Sequence, residues 1–292
     1  MTIVMERPGA NGLAAAVGAL RDWQYEGSPM QLHPGDLGWN WSFGERTLAA
    51  AVRTWSRDGR LLAVGLVDDP RTLRLTIAPD ADRDEELADR LAQDLTEPRR
   101  GVLLAGRAAV EVPAVPLLQK LLREEGWQDD EPWSPLRRGL AEPVPARGLR
   151  IEAVGPESAP ERVADRVDVQ RASFDGSNFT PERWHAMAGG VAYVDARCLV
   201  AYDGQDAPVA AVTVWSAGRG RPGLLEPLGV HRDHRGRGYG TAITLAAAAA
   251  LREMGASSAV VCTPSSNVGA VATYRSGGFR ALPQRRDLYR EG

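Results

Sequence analysis

Lysine is almost missing from this chain of 292 residues: Lys120 stands alone among 35 basic residues. Arginine, alanine, glycine and proline are abundant in its place, as a GC-rich coding bias produces, so arginine number alone is no sign of an anion-binding surface. Positive charge is not in excess either. The formal net charge is −3, which offers no general field for nucleic acid. Cysteine is scarce, with Cys198 and Cys262 both in apolar, strand-like runs, where they read as small buried hydrophobes rather than a disulfide or a nucleophile. Histidine occurs four times (His33, His185, His231, His234), never at metal-ligand spacing to cysteine or carboxylate, so no metal is implied. No apolar run approaches the roughly 20 residues that span a bilayer. Residues 1–21 also lack the basic-then-apolar order of a secretory signal, which makes the cytoplasm the expected location and a membrane no partner. What remains, 43% hydrophobic and 25% charged, is ordinary for a globular protein, and its length suggests two domains at about 150 residues each.

One segment stands out against this background. Residues 230–240 read Val-His-Arg-Asp-His-Arg-Gly-Arg-Gly-Tyr-Gly, a strand end, a loop of glycine and arginine, and the start of a helix predicted over 241–254. A helix N-terminus presents unpaired N–H groups and the positive end of the macrodipole. Gly236, Gly238 and Gly240 let main chain approach a ligand, and Arg232, Arg235 and Arg237 add charge, which together suit a diphosphate. The nucleotide-triphosphate loop is excluded because it needs a lysine. The dinucleotide fingerprint fails because its third glycine would fall on Thr241.

A second segment, Asn267-Val-Gly-Ala270-Val-Ala-Thr-Tyr274-Arg-Ser-Gly277-Gly278-Phe279, places Asn267 as a helix N-cap, with Ala270 and Tyr274 following on one face. Gly277 and Gly278 end that helix. Taken together, Arg235-x-x-Gly238-x-Gly240 and the Asn267 to Phe279 segment resemble the coenzyme-A loop and the tyrosine helix of the GNAT acyltransferase superfamily. The two-domain arrangement is similar to that of mycothiol synthases.

The resemblance implies a cofactor and a chemistry. Acetyl-CoA, or coenzyme A, would be bound by Leu228, Gly229, Val230, Arg235, Gly236, Arg237, Gly238, Tyr239, Gly240, Thr241, Asn267 and Ala270. The strand carrying Leu228, Gly229 and Val230 would splay from its parallel neighbour, with the Val230 N–H as donor to the thioester oxygen. Tyr274 would be the general acid at the departing sulfur, or else a core aromatic. Glu226 would be a general base working through water, or else a strand-end charge. The expected reaction is N-acetylation of a small-molecule primary amine by direct attack in a ternary complex, by a monomer or a homodimer. Two other readings stay open: a coenzyme-A-binding sensor without turnover, and a protein or peptide acetyltransferase. For the acceptor cleft the segment from Phe174 to Phe179, Trp184 and Trp215 are named, with local packing as the alternative.

The fold class implied is α/β of the α+β kind: two tandem GNAT-like domains, each a mixed, mostly antiparallel twisted sheet flanked by helices. A linker at 141–148, with two prolines and no periodicity, separates residues 1–140 from a catalytic domain at 149–292. Within the latter, strands are predicted at 149–154, 196–202, 208–216, 224–230 and 258–263, helices at 160–172 and from Pro181 to 187, and a closing strand over 279–289. In the first half, strands are predicted at 61–67, 72–78 and 102–105, helices at 85–95 and 117–125, and a closing strand at 135–140. This half reads as a degenerate copy or as an unrelated α/β domain. Its counterpart of the diphosphate loop, Pro79-Asp-Ala-Asp-Arg-Asp-Glu-Glu86, has no glycine and five acidic residues, which repel phosphate. Leu121 or a neighbour takes the place of the tyrosine. By this reading the first half does not catalyse. Trp23, Trp39, Trp41, Trp55, Trp127 and Trp133 are assigned to its core or to a seam between the halves.

Overall fold

A computed structural model describes residues 2–112 and 115–291. Their contacts form two compact units. The first is Met1–His33, Glu45–Trp133 and Gln284–Gly292; the second is Pro34–Gly44 and Ser134–Pro283. This differs from the predicted division at 141–148 in three places. The segment before the linker, from Ser134, belongs to the second unit, as does Pro34–Gly44. The end of the chain belongs to the first unit. The predicted closing strand over 279–289 is split: Arg280–Ala281 pairs with Leu136 and Arg137 in the second unit. Arg285–Arg290 lies in the first unit between Ala108–Glu111 and residues 128–133. Pro283 stands at the break and has no N–H to continue a ladder.

The first unit is a mixed sheet in the order Val4–Glu6, Val52–Arg57, Arg60–Asp69, Thr72–Ile77, Ala108–Glu111, Arg285–Arg290 and 128–133. Every adjacent pair is antiparallel except Thr72–Ile77 with Ala108–Glu111. A parallel pair needs a crossover, and the helix Glu85–Thr96 supplies it. Leu87, Leu91 and Leu95 recur every four residues along that helix and are buried. The strand predicted at 102–105 is irregular chain; the strand begins at Ala108. The elements before residue 58, including the helix Gly9–Asp22 with Leu13, Val17 and Leu20 buried, carried no assignment from the sequence.

The second unit repeats this plan. Its strands run in the order 134–139, Ser258–Pro264, Gly223–Val230, Pro208–Trp215, Ala196–Tyr202 and Arg150–Val154. Gly223–Val230 and Ser258–Pro264 are parallel, joined through the helix Tyr239–Glu253. The three ladders beyond them are antiparallel. In each unit a short helix then ends at a glycine of positive φ before an aromatic residue. The Trp127 N–H donates to the Leu122 carbonyl at 3.0 Å, and the Phe279 N–H to the Tyr274 carbonyl at 3.1 Å. That shared C-terminal cap places Leu122, rather than Leu121, at the tyrosine's position.

Alanines let the helix Tyr239–Glu253 lie close on its sheet. Ile243, Ala247, Ala248 and Leu251 are wholly buried against Val212, Val214, Leu225 and Val261. Truncating Leu251 to alanine there would cost about 2–5 kcal/mol. The segment Pro34–Gly44 enters this unit through its glycines. A Cβ on Gly35 or Gly38 would stand 2.4 or 2.2 Å from the Trp215 indole, so the one-turn spacing of two glycines makes a flat seat for that ring. Among the described residues no helix is long and apolar enough to cross a membrane.

Candidate active site

The strand Gly223–Val230 opens the site. Its ladder to Pro208–Trp215 continues to Val230, with a register shift between Leu225 and Leu228. Its parallel ladder to Ser258–Pro264 ends after Leu224↔Val260. From there the two strands part, as the resemblance implied. The His231 N–H donates to the Val209 carbonyl at 2.9 Å. Hydrogen-bonding direction alternates along a strand, so Gly229 faces the same antiparallel neighbour. Leu228 and Val230 therefore turn their N–H groups to the edge where the sheet has opened.

The loop that follows closes one end. Gly236 and Gly238 have φ of +77° and +82°, a conformation that costs an L side chain strain. Gly238 is the N-cap of the helix Tyr239–Glu253, which starts two residues before the predicted position. No side chain caps this helix and no acidic residue lies in its first turn. The first intrahelical bond is from the Ala242 N–H to the Gly238 carbonyl, leaving the N–H groups of Tyr239, Gly240 and Thr241 for an outside acceptor.

The opposite wall is the helix Val268–Ser276. Asn267 caps it, its Oδ1 accepting from the Ala270 N–H at 3.1 Å. Asn267, Ala270 and Tyr274 share the face turned to the cleft, together with Gly269 and Thr273. A Cβ on Gly240 would stand 2.9 Å from Thr273 Cγ2, so glycine there lets the two helices meet. Tyr274 is 7% exposed. Burial pushes its phenol above the usual tyrosine range, and the Glu226 carboxylate and Cys262 act in the same direction. The hydroxyl therefore keeps its proton throughout the neutral range.

These segments enclose a cleft of 570 Å³, within the roughly 300–1,000 Å³ usual for small-ligand sites. Leu228, Gly229, Val230, Arg235, Gly236, Gly238, Tyr239, Gly240, Thr241, Asn267, Ala270 and Tyr274 all line it. Arg237 does not; it is exposed and, with His234, adds to the pull of the Ala207 and Gln205 N–H groups that lowers the Asp203 carboxyl. Glu226 lies outside the lining, half-buried, and reaches Tyr274 through its charge. Its backbone carbonyl accepts from Trp215 Nε1 at 2.6 Å.

The arginines of the loop are placed differently from the expectation. Arg235 Nη2 donates to the Ser173 carbonyl at 2.8 Å. Arg232 donates to the Ala172 and Arg171 carbonyls at 2.9 and 3.3 Å. Both side chains hold the end of the helix Pro160–Ser173, while Arg235 also lines the cleft.

Of the aromatic residues named for an acceptor cleft, only Phe174 reaches the lining. Trp184 and Trp215 are 0% and 1% exposed, and Phe179 is buried against Trp39 with ring centroids 5.1 Å apart. Local packing is their role. Trp39 and Trp41 belong to the second unit, not the first. Ser173, Gly269 and Thr273 line the cleft without having been singled out. The helical period from Asn267 could have found Gly269 and Thr273; nothing local could have found Ser173, which lies 56 positions before Gly229. Among the described residues no group of three or more His, Cys, Asp or Glu could hold a metal ion.

Residues 167–279 match the model of the acetyltransferase (GNAT) family. No curated protein matches the chain. Solved structures resemble it over its whole length. The tandem GNAT protein from the clavulanic acid biosynthesis pathway is 17% identical, covering 99% of this chain and 98% of its own, with a TM-score of 0.60. A GCN5-related N-acetyltransferase from Sphaerobacter thermophilus is 18% identical over 99% and 95%, with a TM-score of 0.58. An acetyltransferase of the GNAT family from Colwellia psychrerythraea is 16% identical over 100% of both chains, with a TM-score of 0.61. At these identities the likeness speaks for the fold. Residues 167–279 thus match the acetyltransferase (GNAT) family, within a chain that has the fold of tandem GNAT proteins.

Proposed function

We propose that the second unit is an N-acetyltransferase that uses acetyl-CoA and acetylates a primary amine of a small molecule within a ternary complex. The observation that carries this reading is the convergence of residues 228–230, 235–241 and 267–274 on one cleft. The uncapped helix N-terminus suits a diphosphate, and the opened strand edge suits an extended amide-bearing arm. Acetyl-CoA supplies the acetyl group as a thioester.

The chain's residues then divide the work. The N–H groups of Gly238, Tyr239, Gly240 and Thr241 receive the diphosphate. The Val230 N–H donates to the thioester oxygen as the amine attacks the carbonyl carbon. The carbon–sulfur bond breaks and the thiolate receives a hydrogen bond from Tyr274. Because that phenol is shifted upward, donation to the developing sulfur charge is favoured over complete ionisation of the tyrosine. Glu226 takes the proton released by the amine through water, which returns the new amide neutral. Neither cysteine enters the scheme.

A thiol-release assay of the purified protein with acetyl-CoA and a library of small amines and peptides tests this. Release above the hydrolysis rate with at least one small primary amine, and intersecting double-reciprocal lines, are expected. Parallel lines would replace direct attack by a covalent intermediate. Tight acetyl-CoA binding without release for any acceptor would leave a sensor, and preference for peptides would move the acceptor to a protein.

A further inference from the structure

The end of the helix Pro160–Ser173 is built to hold one side chain still. Carbonyls in the last turn of a helix have no intrahelical donor. Here Arg171, Ala172 and Ser173 give theirs to two arginines of the Gly/Arg loop. The two cations also oppose the negative end of the helix dipole. Ser173 is thereby pinned over Gly229. A Cβ built on Gly229 would lie 2.5 Å from Ser173 Cβ, 2.6 Å from Ser173 Oγ and 3.0 Å from the Phe174 ring, so only glycine allows this approach.

Ser173 Oγ is buried and has no hydrogen-bond partner among the described residues, although Ser173 borders the cleft. Leaving a buried hydroxyl unpaired costs about 1–3 kcal/mol, and buried polar atoms are nearly always paired. The strand edge beside it carries the Val230 and Leu228 N–H groups. A carbonyl lying along this edge would meet N–H from the side and the Ser173 hydroxyl from the face above Gly229.

We propose that Ser173 is a ligand of the acyl-CoA arm, its hydroxyl donating to a carbonyl oxygen of that arm, and that Arg235 is the positioning residue that holds it there. This rests on reading the cleft as the acyl-CoA site. It gives the loop arginine a task other than neutralising phosphate, and it links the cofactor loop to the helix end that carries Phe174.

Calorimetric titration of acetyl-CoA and of 3′-phosphoadenosine 5′-diphosphate, which has the nucleotide head with its whole diphosphate and no arm, separates the possibilities. Ser173→Ala is expected to weaken acetyl-CoA binding by about three- to tenfold, the worth of one neutral hydrogen bond, and to leave the head nucleotide unchanged. Arg235→Gln is expected to weaken acetyl-CoA binding with the head nucleotide again unchanged. The double variant should be no weaker than the weaker single variant, because the arginine acts through the serine. Unchanged acetyl-CoA affinity in Ser173→Ala overturns the serine's role. Equal loss of both ligands in Arg235→Gln overturns the positioning role in favour of direct phosphate contact. Wild-type protein that binds neither ligand overturns the reading of the cleft, and the role of Ser173 with it.

Discussion

Two helices occupy the same place in the two units, and their first turns are opposites. Glu85–Thr96 is capped by Asp84, whose Oδ1 accepts from the Leu87 N–H at 3.0 Å, and Glu85 and Glu86 fill the first turn. Arg57 pairs with Asp84 at 2.6 Å and with Glu86 at 2.8 Å, and it holds the Asp84 carboxyl below its usual range. Tyr239–Glu253 has a glycine N-cap, no acidic residue and no side-chain cap. The first helix satisfies its positive end from within the chain; the second leaves it to a ligand. The strands beside them differ in the same sense. Between Thr72–Ile77 and Ala108–Glu111, Glu111 bridges Arg74 at 2.9 Å and Arg285 at 2.7 Å. Burial alone would raise the Glu111 carboxyl, but the two guanidinium groups outweigh it and bring it down to about 2. The corresponding edge of Gly223–Val230 is open. One fold therefore fills this helix start with its own carboxylates in the first unit and leaves it without one in the second.

The largest expected effect lies in the closed copy. Glu111→Gln removes the carboxylate shared by the largely buried Arg74 and Arg285, with Asp287 left to Arg285, and should lower unfolding free energy by on the order of 3 kcal/mol at neutral pH, read from urea titration. Because the Glu111 pKa is depressed, its stabilisation is present above the unfolded carboxyl pKa and is lost as pH falls from there towards about 2. Asp287, raised chiefly by burial, opposes this and reduces the loss. The variant should show a flatter acid limb than wild type; an identical limb would sink the assignment. In the open copy, Tyr274→Phe should lower turnover by about ten- to a thousand-fold with acetyl-CoA affinity kept. Unchanged turnover would remove the tyrosine from the chemistry.

Smaller changes convert one copy towards the other. Gly238→Asp imports the first unit's acidic cap and forces an L side chain to positive φ. Acetyl-CoA affinity should fall by about a hundredfold, from charge and strain together, as titration calorimetry would show. Asp84→Ala removes the cap from the closed copy and should cost about 1 kcal/mol in a thermal or urea melt. It should leave acetyl-CoA stoichiometry at one per chain, since Glu85 and Glu86 remain and no glycine is gained. A second equivalent bound would break the comparison between the units.

The tandem plan and most of the cleft are legible in the sequence because their signals are local. Glycines at 236, 238 and 240, a capping asparagine and a tyrosine seven residues after it each state a conformation or a face within one or two turns of chain. Glu226, read from the sequence as a general base or a strand-end charge, lies half-buried outside the cleft lining and acts on Tyr274 through its charge. The first 57 residues yielded no elements. The helix Gly9–Asp22 does carry an apolar stripe, Leu13, Ala16, Val17 and Leu20, but no side chain caps its start, and Pro34–Gly44 becomes meaningful only when Gly35 and Gly38 meet Trp215.

The arginines show where local reading stops. Glycine pattern and helix start dictated that a diphosphate would suit residues 235–241, because backbone conformation and N–H supply follow from neighbours in the chain. Which way Arg232 and Arg235 turn depended on the carbonyls of residues 171–173, some sixty positions away. The same holds for the last strand, which left the half of the chain that encodes it. Short-range geometry is written in order along the chain; pairing across it depends on which distant groups lack a partner once the sheet has closed.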